Sequence, residues 1–489
     1  MYVNNVRIIN ICIGIIGFIL VYTFADFGVG NENASLTAAI AFWIAYWWIS
    51  EPVPLAATSL LPIILFPIFG LVGGEKIAKS YFNSTILLFL GGFIIALAME
   101  KWNLHKRIAL VLISFFGRST SSIVLGFMIA SAFLSMWISN TATAVMLLPI
   151  GLSMLYKIEE QAGLEVSRKF SISLMLGIAY ACSVGGIATI IGTPPNLVFH
   201  RVFTIQFPDI QAITFGEWII LVLPLSIIML LVIWLILTKL YFRLDDKINI
   251  DKSIVIKERK QLGGMSYQEK IVSFVFISTA VLWIFRNDID SGLFTFPGWS
   301  SLLPSKDFID DGTIAIAMSL LLFIIPAKDK TNDSIAILDN RIIRKIPWEI
   351  ILLFGGGFAL AEGFIASGLS EIIGAQFAAL HDFPVYLTIL IICLSITFLT
   401  ELTSNTATAQ IVLPILASLS VQLEIDPKLV MIPATISASM AFMMPVATPP
   451  NAIVFGSGRL KVLDMARAGF AINLIGALLI SIYCYLIFT

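Results

Sequence analysis

Apolar stretches of about 20 residues recur down the chain, separated by short polar or charged segments. Each is long enough to cross about 30 Å of hydrocarbon as an α-helix. They lie at about 8–25, 34–50, 54–72, 84–101, 169–205, 215–242, 268–286, 311–327, 348–366, 428–458 and 464–488. Two further apolar stretches, 121–155 and 383–423, are interrupted near the middle by Ser-Asn-Thr, at 139–141 and 404–406. A polar tripeptide halfway along an apolar run predicts two helices that meet at a tip, a re-entrant hairpin. The pattern therefore predicts an all-α polytopic membrane protein with about eleven crossings and two hairpins. The first apolar run follows Arg7 and has no clear small-x-small cleavage site after it, so it reads as a retained helix and not as a signal peptide.

Composition narrows the class. Of 489 residues, 58% are hydrophobic and 12% are charged, and the mean hydropathy is +0.95. Soluble domains carry about 25% charged residues, so a water-soluble or disordered chain is excluded. Thirty basic and 31 acidic residues give a net charge of −1, which speaks against nucleic acid as a partner. The near-zero total conceals an asymmetry. With a cytoplasmic N-terminus, 24 Lys and Arg fall on the inside. Only six, Lys76, Lys79, Arg201, Arg286, Lys306 and Lys428, fall outside. This positive-inside division supports the two hairpins and leaves the C-terminus extracytoplasmic, because turning either hairpin into a single crossing flips every later loop.

The longest charged stretch, 243–270, reads as a solvated cytoplasmic connector between two halves. The expected organisation is a first helix in 1–33, a first repeat in 34–242, a linker at 243–267 and a second repeat in 268–489. Cys12, Cys182, Cys393 and Cys484 all lie in apolar runs and read as buried thiols with no disulfide framework. His105, His200 and His381 are scattered near segment ends, and no His, Cys or carboxylate cluster has metal-site spacing.

The halves repeat. Residues 139–150, SNTATAVMLLPI, match residues 404–415, SNTATAQIVLPI, at nine of twelve positions. The same offset of 265 places Gly91-Gly92 on Gly356-Gly357 and Phe133-Leu134 on Phe398-Leu399. A second motif, Thr193-Pro194-Pro195-Asn196, returns as Thr448-Pro449-Pro450-Asn451. Equivalent segments are separated by an odd number of crossings, so the two halves are expected to sit upside down relative to each other. Inverted repeats with broken helices near the midplane are a transporter architecture.

Two consecutive prolines remove two backbone donors and break a helix. Such a break is tolerated in hydrocarbon only where the freed groups are buried in protein or line a cavity. Free helix N-termini suit anions, whereas C-terminal ends and unwound carbonyls suit sodium. Asn140 and Asn405 supply amide groups, and Ser139, Ser404, Thr141 and Thr406 supply hydroxyls. These neutral groups can bind a carboxylate and a sodium ion together. No Lys or Arg falls in the motifs, so co-bound cations are the simplest counter-charge for a bound anion. Glu51, Glu100, Glu362 and Glu401 are isolated acids near apolar runs. Glu401, three residues before Ser404 and equivalent to Met136, reads as a scaffold acid holding the hairpin or as a proton or cation relay. Glu51 reads as interfacial.

These residues resemble the divalent anion:sodium symporters, which carry dicarboxylates, citrate or sulfate. The resemblance covers nearly the whole chain. It rests on Trp47-Trp48-Ile49-Ser50-Glu51-Pro52-Val53-Pro54, both Ser-Asn-Thr tips and both Thr-Pro-Pro-Asn breaks, and Ser-Asn-Thr followed by Ala-Thr looks like the bacterial dicarboxylate branch. The resemblance implies a homodimer in the inner membrane whose protomers each pair a scaffold with a mobile transport domain that moves as an elevator. It implies one sodium site at Ser135, Ser139, Asn140 and the backbone near Gly192, and another at Thr400, Asn405 and the backbone near Ala447. Substrate carboxylates are expected at Asn140, Thr141, Thr193, Asn405, Thr406, Thr448 and Pro449. The resulting expectation is sodium-coupled symport of C4-dicarboxylates such as succinate, malate or fumarate, with no organic cofactor. An exchanger or a sulfate or citrate carrier is the alternative within the class. A channel would show a continuous polar pore, and an intramembrane enzyme would place a Ser/His pair or a metal cluster near the motifs.

Overall fold

The computed structural model describes residues 2–25, 27–28, 30–117, 119–246, 253–290, 295–328, 336–376 and 383–489. His381 therefore lies outside the described residues, as do 247–252 of the linker. The first half runs α1 (Tyr2–Phe24), α2 (Glu32–Ser50), α3 (Leu55–Thr58), α4 (Leu61–Ile68), α5 (Gly74–Tyr81), α6 (Ser84–Lys101) and α7 (Leu104–Phe115). It continues with α8 (Thr120–Ser135), α9 (Asn140–Ala162), α10 (Leu164–Gly186), α11 (Pro194–Gln206) and α12 (Phe215–Leu235), which ends in a π-helical turn. After α13 (Ser253–Gln261) the second half holds α14 (Tyr267–Ile284), α15 (Asp311–Ile324), α16 (Trp348–Ala366) and α17 (Leu369–Gln376). It closes with α18 (Val385–Leu399), α19 (Asn405–Gln422), α20 (Pro427–Ser437), α21 (Pro449–Phe455) and α22 (Val462–Phe488). A two-residue ribbon, Ile289–Asp290 with Thr295–Phe296, is the strand content of the described residues.

Among the described residues, eight helices are long and apolar enough to cross a membrane. Four of the eleven expected runs drop out for physical causes, and one helix that does qualify, Asn140–Glu160, lies in the stretch 121–155 expected to be a hairpin. Stretches 54–72 and 428–458 are each divided into two short helices, and α15 has only 14 residues. Helix α2 is long enough, but its Trp, Tyr and polar residues hold its hydropathy down. The spanning helices are apolar all round, as expected where lipid or protein covers every face. Their starts are set locally. Thr214 and Glu217 form a capping box on α12, and Ser266 and Glu269 form one on α14. Helices approach closely where side chains vanish: a Cβ on Gly185 of α10 would lie 2.2 Å from the Ala132 carbonyl oxygen of α8. Gly91 meets Ala315 in the same way between α6 and α15.

The two halves interlock. Helices α9 and α10 pack on α21, and α11 packs on α19 and α20. The Tyr180 hydroxyl of α10 donates to the Phe442 carbonyl at 2.6 Å. The described part of the charged linker is docked: Lys106 of α7 pairs with Glu258 of α13 at 2.8 Å, and Arg107 pairs with Glu269 at 2.8 Å. One expectation about cysteine is corrected. Cys182, Cys393 and Cys484 are buried, but Cys12 is exposed, because α1 covers only one narrow face of α2 and leaves most of its own surface uncovered.

Candidate functional site

Both Ser-Asn-Thr tripeptides sit where one helix ends and another begins. Ser139 is the N-cap of α9, and its hydroxyl accepts from the Ala142 N–H at 3.2 Å. Ser404 holds the same position on α19. Asn140 and Asn405 thus become the first residues of their helices, where N–H groups have no intrahelical acceptor. The Thr-Pro-Pro-Asn motifs act similarly. The prolines do not kink a continuous helix; they occupy the first two positions of α11 and α21, with Thr193 and Thr448 as N-caps. A proline there loses no hydrogen bond, because the missing donor would be unpaired anyway. The helix break lies before each motif, in 187–193 and 438–448.

Asn196 and Asn451, at the last motif position, are fully buried and fasten these unwound segments. Asn196 Nδ2 donates to the carbonyls of Gly186 at 3.3 Å, Ile187 at 3.1 Å and Thr189 at 2.7 Å. Asn451 Nδ2 donates to Ala441 at 3.0 Å and Met444 at 3.1 Å. Each asparagine therefore reaches back ten and seven residues, and the two breaks share one geometry.

All four helix starts open into a single cavity of about 540 Å³. Ser139, Asn140, Thr141, Gly192 and Thr193 line it from the first half. Asn405, Thr406, Ala447, Thr448 and Pro449 line it from the second. Ser135 and Thr400 stand behind this wall. The Ser135 hydroxyl bonds Asn140 Oδ1, and the Thr400 hydroxyl lies 2.8 Å from both Asn405 Oδ1 and the Ala438 carbonyl oxygen. The two hydroxyl-to-amide contacts are equivalent across the repeat. Thr193 Oγ1 and Ser439 Oγ, 3.5 Å apart, join the halves beneath the cavity. Among the described residues, no Lys or Arg lines the cavity.

Two residues, Gly186 and Glu51, take positions that sequence reasoning did not assign. Gly186 leaves an oxygen-lined gap, in which a Cβ would lie 3.0 Å from both Asn140 Oδ1 and the Gly192 carbonyl oxygen. Glu51, read as interfacial, lines the cavity at the C-cap of α2 in a left-handed conformation with φ 45°. Glu401 also lines it, and its carboxylate accepts from the N–H groups of Phe442, Met443 and Met444 and from Asn473 Nδ2. It thereby ties the hairpin tip to the unwound segment, as a scaffold acid does. Of the other isolated acids, Glu362 pairs with Lys76 at 2.8 Å.

The sodium:sulfate symporter transmembrane region matches residues 5–488. A protein of Staphylococcus saprophyticus named sodium-dependent dicarboxylate transporter SdcS is 40% identical over 99% of this chain and 91% of its own length. Its namesake from Staphylococcus aureus strain MRSA252 is 44% identical over 92% of this chain and 85% of its own length. Among solved structures, the Alcanivorax borkumensis YdaH transporter superposes with a TM-score of 0.55 at 13% identity, covering 93% of this chain and 98% of that one. Neisseria gonorrhoeae MtrF superposes with the same TM-score and identity, covering 92% and 94%. These two likenesses speak to the fold alone. With a family match over nearly every residue and relatives at 40% and 44% identity, the chain belongs to the sodium:sulfate symporter family and is a membrane transporter, not an enzyme.

Proposed function

We propose that the chain carries C4-dicarboxylates such as succinate, malate and fumarate across the bacterial inner membrane, coupled to sodium. The carrying observation is the central cavity, where helix starts and neutral polar groups converge and, among the described residues, no basic side chain is present. Helices α9, α11 and α19, with 23, 13 and 18 residues, each direct an N-terminus at it. At about +0.5 charge per helix end, the three supply roughly +1.5. That falls short of a dianion's charge, and Glu51 and Glu401 on the same wall enlarge the deficit. Sodium ions carried with the substrate close it. The names of the staphylococcal relatives support the same reading.

In this reading Asn140, Thr141, Thr193, Asn405, Thr406, Thr448 and Pro449 meet the carboxylates. One sodium ion is held by Ser135, Ser139, Asn140 and the Gly192 backbone, where the gap at Gly186 gives it room. Another is held by Thr400, Asn405 and the Ala447 backbone. Asn140 and Asn405 serve ion and substrate at once, which couples the two. The inverted repeats, 34–242 and 268–489, exchange conformations so that the site opens to alternate sides, as an elevator within a homodimer whose N-termini are cytoplasmic and whose C-termini are extracytoplasmic.

Uptake of labelled succinate into proteoliposomes tests the reading. An inward sodium gradient is expected to drive accumulation, and Asn140→Ala and Asn405→Ala are each expected to reduce it at least about tenfold while the protein stays folded. Equal uptake with and without the gradient would replace symport by exchange. Near-normal uptake by both variants would remove the site assignment.

A further inference from the structure

A second cavity, of about 260 Å³, lies apart from the central one. The start of α6, His200 and Arg201 of α11, the 211–214 segment leading into α12, and Arg286 beyond α14 enclose it. His200, Arg201 and Arg286 all line it, and the charges of the two arginines act on His200 against that of Asp310.

Two of these are unequally provided for. Arg286 Nε donates to Asp311 Oδ1 at 2.6 Å, and its Nη1 donates to the Ile309 carbonyl at 3.0 Å. Arg201 makes no ion pair among the described residues, and its Nε is sealed from solvent without an acceptor. The acid that acts on it is Glu362, which is already bound by Lys76 at 2.8 Å. His200 Nδ1 is likewise sealed and unpartnered. The remaining acids nearby are engaged as caps: Asp310 accepts from the Thr313 N–H at 2.7 Å, and Glu217 accepts from the Thr214 N–H at 2.7 Å. A half-buried guanidinium whose Nε has no acceptor and whose one acid is shared with a lysine is under-satisfied, and its planar fork matches a carboxylate or sulfate oxygen pair.

We propose that this cavity binds a small oxyanion of carboxylate or sulfate type, held by Arg201 with His200 beside it. The site is chemically unlike the central one, which has no basic residue among the described residues. Its walls come from α6, α11 and the end of α14, so a bound anion fastens α11 to two helices distant in sequence. Two sources share this chemistry: an inorganic anion from the medium, and the substrate of the central site on its way through.

The test follows the thermal midpoint of the purified full-length protein in sodium sulfate against sodium chloride at matched sodium, with choline chloride making up the ionic strength. Wild type and Asn405→Ala are expected to show a sulfate-dependent rise, and Arg201→Gln is expected to need at least about tenfold more sulfate for it. An equal sulfate response in Arg201→Gln and wild type, or none in either, overturns the proposal. Succinate in place of sulfate, in the Asn405→Ala background, separates the sources. An Arg201-dependent succinate response supports the site with substrate as occupant, and a response to sulfate alone supports it with the inorganic anion. Crystals of the unaltered protein soaked in selenate give a reading that needs no variant. An anomalous peak within hydrogen-bond distance of Arg201 supports the site, and its absence at saturating selenate overturns it.

Discussion

Glu401 offers the sharpest test of how the site is held together. Its side chain is only 4% exposed and is surrounded by donors. Oε1 accepts from the N–H groups of Phe442 at 2.6 Å and Met443 at 2.8 Å and from Asn473 Nδ2 at 2.7 Å, while Oε2 accepts from the Met444 N–H at 3.0 Å. Four donors and no acceptor are the surroundings of an ionised carboxylate. Glu401→Gln keeps the shape but sets an NH₂ where one oxygen stood. Three bonds fall from charge-assisted to neutral, about 1 kcal/mol each, and the fourth becomes a donor facing a donor, about 1–3 kcal/mol more. Relief from burying a charge offsets about half of this, leaving a net loss of about 2 kcal/mol, or roughly 30-fold in an equilibrium constant. The loss falls on 442–444, the segment that leads to the Ala447 backbone. The sodium concentration for half-maximal uptake in proteoliposomes is therefore expected to rise by up to roughly 30-fold, with a lowered thermal midpoint. Asn473→Ala removes one partner of four and is expected to do less. The double variant is expected to cost less than the sum of the two singles, because both act on one network. Unchanged sodium dependence together with an unchanged midpoint in Glu401→Gln would refute the clamp.

Other expectations follow from single contacts. Gly186→Ala places a methyl 3.0 Å from Asn140 Oδ1 and the Gly192 carbonyl oxygen, and it is expected to weaken sodium dependence at least about tenfold with little loss of folded protein. Arg459 pairs with Glu159 through both guanidinium nitrogens and lies over Tyr156 at 5.2 Å. Arg459→Ala is expected to destabilise by about 1–2 kcal/mol, and a double-mutant cycle with Glu159→Ala reads the coupling. Burial works against ionisation at Asp246, but the Lys239 ammonium and the Ser121 and Thr120 donors outweigh it and bring its carboxyl down from 3.8 to about 2. A depressed carboxylate contributes its stability above the ordinary value, so this contact is expected to persist at neutral and mildly acid pH. It is lost as pH falls from about 4 towards about 2. A fluorotryptophan signal from Trp234, whose Nε1 donates to the Ser121 carbonyl at 2.9 Å, follows it, and Asp246→Asn is expected to abolish the transition.

The helix starts at Asn140 and Asn405 were legible because Ser-Asn-Thr is unfavourable inside an apolar run unless a helix starts there, and the same tripeptide 265 residues later made that reading specific. Proline pairs announced the broken helices for a similar reason, although the structure uses them as helix starts and places the unwinding just before them. Glu51 was not legible. Its position on the cavity depends on how α2 ends against the rest of the fold, and nothing local distinguishes it from an interfacial acid. Gly186 was hidden for another reason: its contribution is the absence of a Cβ between two oxygens that lie elsewhere in the chain. Helix α7 was missed because it is too short and charged to register as a span. It buries Leu104, Ala109, Leu110 and Ile113 while Lys106 and Arg107 reach out to α13 and α14.

The repeat is most informative where its residues differ. Position 136 of the first half corresponds to 401 of the second, and position 189 corresponds to 444, by the offsets of the two motifs. In the first half the Thr189 hydroxyl donates to the Met136 carbonyl at 2.5 Å. In the second half the Met444 N–H donates to the Glu401 carboxylate at 3.0 Å. The same two places are tied in both halves, yet none of the four residues matches its counterpart. What is repeated is therefore the joint between a hairpin tip and the unwound segment beside it, not the residues that make it. The joint has a reason to exist in both copies. Each proposed sodium position takes groups from a tip and from the adjacent break, and a cation is held only if those two pieces keep a fixed spacing. One half meets that requirement with a single hydroxyl. The other concentrates four donors on one acid, which makes its tip the more strongly fastened of the two and makes Glu401 part of the frame that holds the site.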